Sequence, residues 1–190
     1  MITLDPRTTA LVLIDLQNGI IAMPLAPRPG TEVLAAGRAL AQRFRAAKAS
    51  LVLVNVGWSA DYSDALHQPV DQAPARPPGG LPPGWSSLAD GLEQPGDLRI
   101  TKRHWGAFHG TELDLQLRRR GIATIVLGGI ATNFGVESTA RQAWERGYAV
   151  VLAEDACTAV AAEMHDLAIR FIFPRIARVS PSAEIALAAG

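Results

Sequence analysis

The sequence has one cysteine, Cys157, among its 190 residues. No internal disulfide is possible, so the fold must be held by burial alone. It has no surplus of either charge, with Lys plus Arg and Asp plus Glu at 18 each. That balance supplies no electrostatic basis for holding a polyanion, so neither nucleic acid nor an anionic membrane is expected as a partner. No apolar run is long enough to span a bilayer, and the first residues lack the basic-then-apolar layout of a secretion signal. The expected location is cytoplasmic. The four histidines, His67, His104, His109 and His165, show no metal-ligand spacing. No metal and no cofactor are expected.

What is present is a chain that can build a core. Hydrophobic residues make up 48% of it, and its length suits one domain over residues 1–190. Apolar runs at 10–15, 51–56, 98–102, 123–128, 148–154 and 176–179 read as strands. They are nearly continuous rather than alternating, as parallel strands covered on both faces are. Between them lie helical patterns: one capped by Thr31 and running to about Lys48, one from Thr111 to Arg120, one after Asn133, and one from Glu163 to about Phe173. A last helical turn is expected from Glu184 to Ala188. The alternation predicts a single-domain three-layer α/β/α fold, Rossmann-like, with a six-stranded parallel sheet in the order 3-2-1-4-5-6. Residues 57–96 break the rhythm. This Pro/Gly-rich stretch reads as one long functional loop inside the domain.

The most informative segment is Gly128-Gly129-Ile130-Ala131-Thr132-Asn133-Phe134-Gly135 and the helix after it. Asn133 reads as the N-cap, with Val136, Ala140 and Trp144 at helical spacing. Gly135 then falls on the first helical turn at the carboxyl end of a strand, where amides and the positive helix end favour a developing anion. Asp15 and Lys102 each close an apolar strand. In a parallel α/β sheet such positions converge outside the strand ends, however distant in sequence. Taken alone, Asp15 reads more readily as a cap and Lys102 as a solvated loop cation. Cys157 reads as a small buried hydrophobe, not a nucleophile. Trp58, Trp105 and Phe108 flank the proposed site in sequence and suit either packing or stacking on a planar substrate. Arg28, Arg76 and Arg103 lie in loops and are candidates for binding a carboxylate.

These residues resemble the isochorismatase-like cysteine hydrolases, over essentially the whole chain from Asp15 to the last strand. The resemblance implies an acid/base role for Asp15, which is followed by Leu16-Gln17. It makes Lys102, with Gly106-Ala107-Phe108 and Thr111-Glu112-Leu113 after it, the second member of a triad. It places a non-proline cis peptide at Ile130-Ala131 and an oxyanion hole at the amides of Ala131 and Gly135. Gln17, Trp58, Trp105 and Phe108 become substrate-binding candidates. The family's third catalytic position, its nucleophilic cysteine, is Gly135 here. Metal-using relatives carry Asp-x-His after the second strand, where this chain reads Gly57-Trp58-Ser59. Relatives are commonly homo-oligomers, so a homo-oligomer is expected.

Without a thiol, covalent amide hydrolysis has no nucleophile. The resemblance leaves non-covalent acid/base hydrolysis of a small planar substrate, with isochorismate-type vinyl ethers first. Direct hydrolysis of a small amide or ester, and a catalytically silent metabolite-binding protein, are the alternatives.

Overall fold

The computed structural model describes residues 1–188. A short β1 (Ile2–Leu4) leads to β2 (Thr9–Ile14), α1 (Asn18–Ile21), α2 (Gly30–Ala46) and β3 (Ser50–Val56). After the long loop come β4 (Leu98–Lys102), α3 (Leu113–Arg119) and β5 (Thr124–Ile130). A π-helical turn, Thr132–Val136, runs directly into α4 (Glu137–Glu145). Then follow β6 (Ala149–Thr158), α5 (Ala162–Leu167), α6 (Phe173–Ile176), β7 (Arg178–Ser180) and β8 (Ile185–Leu187).

The main sheet has the order β4-β3-β2-β5-β6-β7, and every pairing in it is parallel. Counted over these six strands alone the order is 3-2-1-4-5-6. The labels run one higher because β1 precedes them and pairs with β8 in a separate two-stranded sheet. Alternate residues of β2 feed two cores. Ala10, Val12 and Ile14 pack with Leu113 and Leu117 of α3 and Ala140 of α4. Leu11 and Leu13 pack with Val33, Leu40 and Phe44 of α2. Both faces of the sheet are therefore covered, and this is why the strand sequences are apolar at consecutive positions.

The order in which successive strands are added to the sheet reverses between β2 and β5. Ile14 pairs with Val54 on one side and Gly129 on the other, so the carboxyl ends of three strands lie level there. Gly129 has φ 126, and a Cβ on it would stand 2.0 Å from Ile14 O. Only glycine lets the strand pass so close to the end of β2.

Four local expectations are corrected. The helix expected to be capped by Thr31 begins at Gly30, with Pro29 in extended geometry before it and no side-chain cap. Asn133 is not an N-cap but lies inside the π-helical turn. The expected terminal helix at 184–188 is instead strand β8. Its residues Ile185 and Leu187 join Leu4 in the core over α2, and its backbone pairs with β1. A helix this short cannot repay its nucleation cost, whereas pairing with an available edge can. Trp144 also lies outside the core at 53% exposure, because Val136, Ala140 and Ala143 form the buried stripe.

Candidate active site

Asp15 takes its place one residue beyond β2. Its backbone is left-handed, φ 53, and its amide donates to Val54 O at 2.8 Å. Asp is among the residues that tolerate this conformation, which turns the side chain away from the strand's alternation. Lys102 ends β4, two strands away. Val56 pairs with Lys102 in the register, so the long lysine side chain spans the end of β3 to reach Asp15. Lys102 Nζ donates to Asp15 Oδ2 at 2.7 Å and to His104 O at 3.1 Å. Both side chains are almost fully buried. Asp15 Oδ1 is also buried and has no hydrogen-bond partner. Burial raises the Asp15 pKa to about 6, against the opposing pull of the Lys102 charge and hydrogen bond.

Gly135 meets this pair from the π-helical turn. A Cβ built on it would lie 3.4 Å from Asp15 Oδ2, 3.0 Å from Ile14 Cγ2 and 3.5 Å from Trp105 O. Thr139 Oγ1 donates to Gly135 O at 2.7 Å and accepts from the Ala107 amide at 3.1 Å, tying the turn to the segment after β4. The Ile130–Ala131 peptide is cis. The structure thus brings Asp15, Lys102, Gly135 and the 130–131 peptide to one end of the sheet.

Among the four candidate substrate contacts, two are already committed elsewhere. Gln17 is fully buried; its amide donates to Val56 O at 3.0 Å and to Trp85 O at 3.3 Å, and its Oε1 accepts from Val56 N at 2.8 Å. It is a strut holding the long loop to β3. Phe108 belongs to the core, packed against Tyr148 and 4% exposed, because it points inward from the segment that Thr139 anchors. Trp58 and Trp105 remain near the surface. Trp58 Nε1 donates to Arg103 O, and Trp105 is 64% exposed with its ring 4.7 Å from Phe134.

The loop arginines are paired. Arg28 binds Glu154, Arg103 binds Asp64, and Arg76 binds Leu66 O and His67. Cys157 lies fully buried in β6, and burial pushes its thiol up to about 12. Among the described residues, no group of three His, Cys, Asp or Glu is placed to hold a metal ion.

A partly buried chain of polar contacts joins residues that no sequence expectation links. Thr132 Oγ1 is 2.8 Å from His165 Nδ1, His165 Nε2 is 3.0 Å from Glu154 Oε1, and Glu154 pairs with Arg28. It braces the residue after the cis peptide against α5 and β6. The only sequence signal is a polar residue on each of four separate elements, with no spacing that links them.

A model of the isochorismatase domain matches residues 9–184. The chain belongs to the isochorismatase family. The family protein YecD of Escherichia coli O157:H7 is 54% identical over 186 residues, covering 97% of this chain and 98% of its own. The ureidoacrylate amidohydrolase RutB of Rhizobium rhizogenes is 33% identical, covering 82% of this chain and 72% of its own. A solved isochorismatase family protein from Burkholderia thailandensis superposes with a TM-score of 0.92 at 46% identity, covering 97% of this chain and 96% of that one.

Proposed function

We propose that this isochorismatase-family chain is a hydrolase that works by acid/base catalysis without a covalent intermediate. The observation that carries the reading is the asymmetry of Asp15. Oδ2 is held by Lys102, while Oδ1 is buried with no partner and the carboxyl is shifted to about 6. A carboxyl poised there is suited to deliver or accept a proton near neutral pH. Gly135 offers space and an amide but no nucleophile.

The favoured reaction is hydrolysis of a vinyl ether of the isochorismate type. Protonated Asp15 gives its proton to the terminal alkene carbon. Water adds to the resulting oxocarbenium carbon and loses a proton. The hemiketal so formed then collapses to a ketone and an alcohol. Lys102 holds the carboxyl in place and stabilises it once it has become an anion, and the amides of Ala131 and Gly135 face the substrate oxygen. Turnover of isochorismate or a simpler vinyl ether by the purified protein, abolished by Asp15→Asn, tests this. Equal inertness of both proteins refutes it.

A second reading is supported by the name of the RutB relative, an amidohydrolase. Here ionised Asp15 acts as base on a water that attacks an amide or ester directly. A catalytically silent metabolite-binding role is the third, marked by ligand-induced stabilisation without product. In each, the protein acts in the cytoplasm as a homo-oligomer. Exposed Met164, Leu167 and Phe171 recur at near-helical spacing and offer an apolar ridge for a second copy.

A further inference from the structure

The turn that carries Gly135 is wound as a π-helix, and the winding decides what its amides can reach. In an α-helix the Gly135 amide would donate to the carbonyl four residues back, that of Ala131. Here Ala131 O takes the amides of Phe134 at 3.1 Å and Val136 at 3.2 Å instead. The Glu137 amide likewise donates five residues back, to Thr132 O. The wider winding passes over the Gly135 amide and leaves it free of Ala131 O. An amide in the first turn that the preceding carbonyl does not take is open to an oxygen from outside the helix.

Two threonines pin this winding. Thr139 Oγ1 donates back to Gly135 O at 2.7 Å, as a threonine inside a helix commonly does. Thr132 is fully buried and turns away from the helix, with Oγ1 2.8 Å from His165 Nδ1. The other ring nitrogen of His165, Nε2, lies 3.0 Å from Glu154 Oε1. A carboxylate only accepts, so Nε2 carries the proton, and in that tautomer Nδ1 accepts from the Thr132 hydroxyl. Arg28 holds Glu154 at 2.9 Å and donates to Cys157 O at 3.3 Å. The Arg28 amide donates to Thr158 Oγ1 at 3.2 Å, and Thr158 pairs with Ile130 at the end of β5. The contacts therefore return to the strand from which the turn springs.

We infer that His165 is a positioning residue, which through Thr132 keeps the turn π-wound and so keeps the Gly135 amide available to the substrate oxygen. It touches no substrate itself, being 2% exposed. Without its hold on Thr132 the turn relaxes toward α-helical winding, and the Gly135 amide closes onto Ala131 O. The word substrate rests on the proposed role of the Ala131 and Gly135 amides, but the winding can be read with no substrate present.

The test is NMR of isotope-labelled protein, reading the nitrogen–carbonyl coupling that passes through a hydrogen bond, in wild type, Thr132→Val, Thr132→Ser and His165→Gln. Valine keeps the shape of threonine and removes the hydroxyl. Glutamine keeps a donor for Glu154 and has no acceptor at the place of Nδ1. Wild type and Thr132→Ser should couple Val136 to Ala131. In Thr132→Val and His165→Gln, Gly135 should couple to Ala131 instead. A loss of stability alone would lower Tm and leave the couplings where they are. With a vinyl ether as substrate, the same two variants should lose about tenfold or more in kcat/KM, and Thr132→Ser should restore most of it. Couplings that move as expected in proteins that turn over no vinyl ether support the role in the winding and defeat the catalytic reading alone. Couplings that are the same in all four proteins, or kcat/KM lost equally in Thr132→Ser and Thr132→Val, overturn the inference even if vinyl ethers are hydrolysed.

Discussion

Lys102 Nζ lies 2.7 Å from Asp15 Oδ2, while Asp15 Oδ1 on the same carboxyl is buried and meets no donor. Lys102 fixes the carboxyl through Oδ2, the oxygen that also lies 3.4 Å from the position of a Cβ on Gly135. Lys102 also opposes the rise in the Asp15 pKa that burial imposes. Lys102→Met keeps most of the side-chain volume and removes that opposition. The Asp15 pKa should then climb above about 6, and the pH–rate profile should shift alkaline with it. The maximal rate should fall by about 10²-fold or more as the anion left by proton transfer loses its stabiliser. A kcat/KM profile from pH 4 to 9 checks both.

Gly135→Cys puts a thiol at the position that the family resemblance assigns to the nucleophile. The new Cβ has 3.4 Å to Asp15 Oδ2, and Ile14 Cγ2 at 3.0 Å must give by a few tenths of an ångström. No positive φ opposes the change. The variant should fold and its thiol should be alkylated by iodoacetamide, whereas Cys157, fully buried, should stay intact. Mass spectrometry of the labelled peptide distinguishes them. Acquired hydrolysis of small amides would show that the remaining machinery accepts a covalent route.

Gln17→Ala removes the strut between β3 and the long loop. Three hydrogen bonds vanish, and both Val56 backbone groups lose a buried partner. The loss should be about 2–4 kcal/mol, read by urea unfolding. KM should rise as well, because Trp85 and its neighbours then keep the backbone bonds from Asn18 and Gly19 and to Leu16 but lose the Gln17 strut.

Asp15 also makes stability depend on pH. Its pKa is raised on folding, from the ordinary 3.8 to about 6, so the folded state holds the proton more tightly than the unfolded state. The resulting stability is fully present below about pH 4 and is lost as pH rises through about 6. Asp15→Asn abolishes this dependence. Thermal unfolding at pH 4.5 and 7.5 should show the variant gaining on the wild type at the higher pH.

Much of the fold was legible because burial on both faces writes itself into sequence. Residues 10–14 are an unbroken apolar run and 51–56 are interrupted only by Asn55, and their ends mark where Asp15 and the loop begin. The pairing of Asp15 with Lys102 was readable only through topology and family resemblance, since 87 residues separate them. Gln17 and Phe108 looked like ligand contacts because they adjoin the site in sequence. Which way each side chain turns is settled by tertiary partners, Val56 for one and Tyr148 for the other. The Thr132–His165–Glu154–Arg28 chain joins four elements with no local pattern. Strand β8 carries no sequence signal because Ile185-Ala186-Leu187 is too short to carry a period, and its partner lies at the opposite end of the chain.

The central claim is that Asp15 works as a general acid, and the pH dependence of vinyl ether hydrolysis tests it most directly. An acid acts while protonated. In the wild type kcat/KM should be level below about pH 6 and fall tenfold per unit above it, with no activity in Asp15→Asn. A rate that instead rises through pH 6, or that survives in Asp15→Asn, contradicts the account.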